Sequence, residues 1–246
     1  MSDQVMIERR FRGPADSANG GYACGMLAAH LDAEEATEVT LKTPPPLDLP
    51  LRVERAEDQV RLLDGDTLVA AGRAAPPPDP ELPAAVSPEE ARRARESSPM
   101  QHHHPYPSCF VCGPERAAGD GLRVICGPVP GPEGDLVAAP FETDETMAGQ
   151  DGDLRSELIW SVLDCPGGIA AMLVPDFGIS VLGRLTASIR HPLKAGEDYV
   201  ALGWPAWRDG RKFGAGSAIV DRGGRPLAVA EAVWIELRPP APEDAG

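Results

Sequence analysis

Aromatic side chains are scarce, at 5% of the 246 residues. Few rings are available to stack on bases, which argues against a single-stranded nucleic-acid surface. Basic charge is in deficit as well: 23 Lys+Arg stand against 38 Asp+Glu, a formal net charge of −15. Phosphate-backbone binding needs clustered cations, so no nucleic-acid partner is expected. Long apolar runs are missing. None approaches the roughly 18 residues of a membrane span. The uncharged stretch Cys165–Pro175 is short and interrupted by Pro166, Gly167 and Gly168. The opening MSDQVMIERRFRG lacks the apolar core of a secretion signal. Cysteines number only five, an odd count that does not suit a disulfide framework. The reading is a reducing, cytoplasmic compartment with no membrane partner.

Enough apolar material is present for a real core, since hydrophobic residues make up 42% of the chain. Residues 75–107, APPPDPELPAAVSPEEARRARESSPMQHHHPYP, are proline-rich and nearly free of large aliphatics. They read as a linker (76–107) between an N-terminal unit (1–75) and a C-terminal unit (108–240). A short helix is expected at Glu89–Arg95, capped by Ser87 with Pro88 in first position. In the C-terminal unit, Leu122–Cys126 and Leu136–Phe141 read as strands around a Gly/Pro turn. Leu154–Asp164 carries apolar residues at helical spacing and is expected to end or kink at Pro166. Val181–Arg190 alternates strictly, as a half-buried strand does. Tyr199–Pro205, Gly214–Asp221 and Leu227–Leu237 follow as strands, with a hairpin turn at Asp221-Arg222-Gly223-Gly224.

The N-terminal unit repeats this order in shortened form: a strand at Val5–Arg12, a helix at Asn19–Leu31, then strands at Glu38–Thr43, Leu49–Arg55, Gln59–Leu63 and Thr67–Ala74. VTLKTPPPL (39–47) resembles LTASIRHPL (185–193), and LDGDTLVAAGRA (63–74) resembles DRGGRPLAVAEA (221–232). Strand-rich units with one helix each and no crossover helices predict an antiparallel α+β fold. Two such sheets are expected to meet edge to edge, with both helices on one side.

Ser108-Cys109-Phe110-Val111-Cys112-Gly113-Pro114, followed by Gly121-Leu122-Arg123-Val124, resembles the CxxCG…GL opening of many hotdog-superfamily acyl-CoA thioesterases. The element order and the segment from Ile189 to Leu237 are similar to a hotdog too. With the repeat, about 200 residues resemble a double hotdog, in which two units of one chain mimic the usual dimer. The resemblance implies hydrolysis of an acyl thioester, with no cofactor beyond the coenzyme A carried by the substrate. The chain would then act as a pseudo-dimeric monomer or a homodimer. Such hydrolysis needs a carboxylate to activate water or attack directly, and N–H groups to polarise the carbonyl.

Asp164, in Ser161-Val162-Leu163-Asp164, falls where the superfamily's helix motif puts its acid. Glu157, two turns earlier on the same face, is the second candidate. Asp164 could equally cap a broken helix, and Glu157 could be a solvated residue. Asn19-Gly20-Gly21-Tyr22 resembles the HGG-type turn of phenylacetyl-CoA thioesterase relatives, with Asn19 in the His position. It could equally be an ordinary N-cap. Ala28 stands where the first unit's acid would be expected, which implies one composite site with Asp164 or Glu157 facing Gly20 and Gly21. Gly20, Gly21, Tyr22, Arg190 and His191 are the candidate substrate contacts. The span Phe177–Arg238 carries a local basic excess that would suit the phosphates of coenzyme A. Cys109-x-x-Cys112, beside His102, His103 and His104, is half a zinc site at most; free thiols are the simpler reading, and no metal is expected. The competing function is a degenerate hotdog that binds acyl thioesters or lipid without turnover.

Overall fold

The computed structural model describes residues 3–33, 35–56, 58–130 and 136–238. The N-terminal half contributes β1 (Asp3–Met6), α1 (Gly20–Ala28), β2 (Thr37–Leu41), β3 (Pro50–Arg55), β4 (Gln59–Asp64) and β5 (Thr67–Ala74). After α2 (Pro88–Ser97), the C-terminal half contributes β6 (Gly127–Pro128), β7 (Val137–Glu142), α3 (Ser156–Leu173), β8 (Ser180–Ile189), β9 (Asp198–Asp209), β10 (Lys212–Val220) and β11 (Pro226–Glu236). Among the described residues these strands form one 11-stranded sheet in the order β1-β3-β4-β5-β2-β8-β11-β10-β9-β7-β6, antiparallel throughout.

The order is near-symmetric about the central β2–β8 pair. Reading outward on either side gives the strand after the helix, then the last strand of that half, then the earlier strands in reverse. Val39 lies directly opposite Leu185. These are the residues that the internal repeat equates, so an approximate two-fold axis passes between them. The axis relates the two helices as well. Asn19 caps α1 and Arg155 precedes α3, so Gly21 corresponds to Glu157, and Ala28 corresponds to Asp164.

α1 and α3 pack against each other on one face of the sheet, and both contribute to its main core. Glycine makes this approach possible. A Cβ on Gly21 would sit 2.5 Å from both Asp164 Cβ and the Trp160 carbonyl oxygen, and one on Gly25 would sit 2.7 Å from Glu157 Cα. The one-turn spacing of Gly21 and Gly25 therefore forms a flat face on α1, against which α3 runs antiparallel.

Several sequence expectations change. α3 does not stop at Pro166 but runs through it to Leu173. The missing proline N–H disturbs the helical ladder at that turn. The Ser217 hydroxyl of β10 donates to the Leu163 carbonyl there, at 2.6 Å. The flanking glycines serve packing: a Cβ on Gly168 would overlap the Trp234 ring at 2.5 Å. Residues 122–126 are not a strand. Arg123 has φ 54, which breaks an extended run, and the Leu122 and Val124 amides bond the Phe110 and Val111 carbonyls at 2.9 and 2.8 Å. The turn expected after them includes 131–135, outside the described residues, as does the end of the C-terminal unit at 239–240. The first strand ends at Met6, and Arg9–Phe11 forms a single 3-10 turn held by Asp48.

The linker is more than a tether. Ser87 caps α2 in a full capping box with Glu90. The helix buries Ala91 and Ala94 against Leu136, Ala138, Val200 and Leu202. The neighbours Val137, Ala139 and Ala201 point into the main core instead, so α2 covers the opposite face of the sheet.

Candidate active site

Asp164 is buried in the middle of α3, at the seam between the halves. Its Oδ2 accepts the Gly21 N–H at 2.8 Å and the Asn19 Nδ2 at 3.1 Å. Asn19 acts twice: its Oδ1 caps α1 by accepting the Tyr22 N–H at 2.8 Å. The carboxyl of Asp164 is thus held by the positive end of the other half's helix. Burial nonetheless pushes its pKa up to about 7, against the lowering effect of the Gly21 amide; the adjacent Cys109 sulfur raises it further and Asn19 lowers it.

Beside this carboxyl lies a cavity of about 560 Å³ that both halves line, including Asn19, Gly20, Leu41, Asp164, Leu182 and Trp234. Three buried polar atoms on its lining residues have no partner among the described residues: Asp164 Oδ1, Ser180 Oγ and Trp234 Nε1. An orphaned buried polar atom is unfavourable, and three around one cavity mark a place where a ligand or water completes the bonding. Among the described residues the Gly20 N–H makes no hydrogen bond to protein, although it begins α1 at the cavity wall.

The structure separates the sequence candidates into two groups. Asp164, Asn19 and Gly20 meet at the cavity. Gly21 touches the site from behind, because its N–H is already donated to Asp164 and is not free for a carbonyl. Glu157 does not line the cavity. It occupies the Gly21-equivalent position at the start of α3 and pairs with Arg155 at 3.5 Å. Tyr22 is a core residue, stacked on Phe11 with centroids 4.1 Å apart, and does not line the cavity. Arg190 and His191 also fall away from the site. Ser180 of β8 lines the cavity, but Arg190 lies past the other end of that strand, roughly 33 Å along it at about 3.3 Å per residue. Arg190 donates to the Pro78 carbonyl at 2.8 Å, and His191 Nε2 lies 2.8 Å from an Arg225 nitrogen. Part of the expected basic surface is taken up in ion pairs, such as Arg184 with Glu38 and Arg222 with Asp198. Lys42 is the lysine at the cavity.

Sequence reasoning missed many of the lining residues, Ser180, Leu182 and Trp234 among them. Ser180 and Leu182 are carried on the alternation of β8, and Trp234 comes from the facing strand β11, where it pairs with Leu182. It also missed Cys165. This thiol follows Asp164 on α3, and its Sγ lies 3.9 Å from that of Cys109. The signal was a cysteine adjacent to the candidate acid.

No family model matches the chain, and no curated protein matches it in sequence. Solved structures do match. The chain is similar to the tesB protein of Mycobacterium avium subsp. paratuberculosis at 13% identity, over 96% of this chain and 92% of that one, with a TM-score of 0.60. It is also similar to an acyl-CoA thioesterase II from Mycobacterium marinum at 12% identity, over 96% of this chain and 93% of that one, with a TM-score of 0.62. The likeness is one of fold: the chain shares the fold of these two proteins. Among the described residues no helix is long and apolar enough to cross a membrane.

Proposed function

We propose that this chain is a double hotdog that hydrolyses an acyl-CoA-type thioester at a composite site between its halves, with Asp164 as general base. The observation that carries this reading is the placement of a buried carboxyl, anchored through one oxygen by Asn19 and Gly21, beside a cavity shared by both halves. Its other oxygen has no partner among the described residues. The names of the fold's neighbours, tesB and acyl-CoA thioesterase II, support the reaction class. Leu41, Leu182, Ile169 and Met172 on the cavity wall suit an apolar acyl group. Lys42 is the cation best situated for a phosphate of the thiol part. Five buried free cysteines suit a reducing compartment.

The chemistry follows from the two oxygens. Asp164 Oδ1 takes a proton from a water molecule as the water oxygen attacks the thioester carbonyl carbon. Negative charge develops on the carbonyl oxygen, where the unpartnered Gly20 N–H and the α1 terminus stabilise it. Collapse breaks the C–S bond, and the proton on Asp164 passes to the leaving thiolate. The carboxyl ends ionised, ready for the next turnover. The N-terminal half supplies no equivalent acid, since Ala28 holds the position that corresponds to Asp164, so one site per chain is the expectation. The test is thiol release from acyl-CoAs of short, long and aryl type. Asp164→Asn should lose about 10²–10⁴-fold in kcat, the range for a positioned base. A variant within a few-fold of wild type would rule out Asp164 as the base.

A further inference from the structure

Three thiols from distant parts of the sequence converge beside the candidate site. Cys109 and Cys112 come from the loop before β6, and Cys165 comes from the middle of α3. Their sulfur atoms all lie within 4.8 Å of one another. All three are buried and none is in a disulfide. The 3.9 Å between Cys109 Sγ and Cys165 Sγ is far too long for a disulfide bond of about 2.05 Å. It does match the edge of a tetrahedron around a metal with bonds of about 2.3 Å to sulfur, an edge of about 3.8 Å.

The loop is shaped to present negative sulfur. The Gly113 N–H closes the turn on the Cys109 carbonyl at 2.9 Å. Only glycine fits at 113, because a Cβ would meet the Cys109 and Pro107 carbonyl oxygens at 2.5 Å. Asn19 Nδ2 approaches Cys165 Sγ at 3.6 Å and Cys109 Sγ at 3.9 Å. His104 Nε2 lies 3.2 Å from Cys112 Sγ. Its Nδ1 accepts the Tyr106 N–H at 2.9 Å, which leaves the neutral ring's proton on Nε2. His104 is therefore a donor to the Cys112 sulfur and not a ligand. A metal-binding His normally uses its second nitrogen as a donor, the reverse of this arrangement. Hydrogen-bond donors therefore lie beside all three sulfurs.

We infer that Cys109, Cys112 and Cys165 form a three-thiolate site for Zn²⁺, with His104 and Asn19 holding the sulfurs and the fourth position open to the cavity. Three sulfur ligands select a borderline-soft ion such as Zn²⁺ over Mg²⁺ or Ca²⁺. The cavity, which all three cysteines line, provides the entry path. The ion would tie the loop to α3 next to the α1 terminus. This assignment stands independently of the hydrolytic reading.

The test uses the full chain, reduced, stripped with a chelator and returned to Zn²⁺ alone. Native mass spectrometry and elemental analysis should find one zinc per chain. Zinc should shield three of the five thiols from alkylation. His104→Ala should keep the stoichiometry and weaken binding by roughly 10–100-fold. Cys165→Ser should weaken it further than that, while Cys126→Ala, at a thiol outside the cluster, should bind like wild type. Folded wild type that takes up no zinc at micromolar concentration overturns the assignment, as does Cys165→Ser binding as tightly as wild type. If the cysteine variants do not fold, Co²⁺ in the wild-type protein decides. Intense thiolate-to-cobalt charge transfer supports the site, and its absence refutes it.

Discussion

Gly21→Ala sets two physical effects in direct opposition. By helix propensity alone, alanine should stabilise α1 by up to ~1 kcal/mol. Packing predicts the reverse. The new Cβ would lie 2.5 Å from Asp164 Cβ and from the Trp160 carbonyl oxygen, and 3.0 Å from Ser161 Cα. Two of those three atoms are backbone, so no rotamer change relieves the overlap and the helices must separate. Overpacking of this kind costs about 1–3 kcal/mol. Separation also stretches the 2.8 Å bond from the Gly21 N–H to Asp164, and a hydrogen bond to a charged group contributes about 1.5–3 kcal/mol. The net is a loss of ~3 kcal/mol, within a range of roughly 1.5–5. For a chain of this size that lowers Tm by roughly 6–12 °C. Urea unfolding followed by tryptophan fluorescence measures it. Gly20→Ala is the companion, because the three atoms nearest its Cβ would all be side-chain atoms of Leu182 and Leu41, at 2.9–3.2 Å. The loss should be smaller there. If Gly21→Ala is as stable as wild type or more so, the close α1–α3 contact is not what positions Asp164.

Gly168→Ala should destabilise by about 1–3 kcal/mol, since its Cβ would overlap the Trp234 ring; a shift in tryptophan emission together with an unchanged unfolding midpoint would contradict this. Leu182→Trp should fill the cavity beside Gly20 and raise KM for long acyl-CoAs more than for acetyl-CoA, read from steady-state thiol release. Arg190→Ala and His191→Ala should leave KM for any acyl-CoA within about two-fold of wild type, because both lie beyond the far end of β8. Ser87→Ala should cost about 1 kcal/mol and speed hydrogen exchange across 88–97. The Ser87 hydroxyl and amide hold the Glu90 carboxyl below the ordinary range. With its folded pKa depressed, the stabilisation is complete above the unfolded value and is lost as pH falls through the folded one. An NMR titration of Glu90 should therefore move up toward the ordinary range in Ser87→Ala, and an unmoved curve would show that the capping box does not hold that carboxyl.

Local pattern by itself determined much of this protein. Alternation predicted β8, and the cap signals of Ser87, Pro88 and Asn19 predicted where helices begin, because these depend on neighbours in sequence. The repeat equated Val39 with Leu185, and those residues do meet across the centre of the sheet. Tertiary structure decided the rest. Pro166 reads as a helix end or kink, yet α3 continues through it to Leu173, with Ser217 from a distant strand bonding the Leu163 carbonyl at that turn. Gly21 reads as an amide for a substrate, but it faces a carboxyl carried 143 residues away. Asp164 and Glu157 look equivalent on one helix face. Only the packing of α1 places the Asn19 cap beside one and Gly25 beside the other. Cys165 joined Cys109 and Cys112 for the same reason: spacing in sequence carries no information about side chains brought together by two helices and a loop.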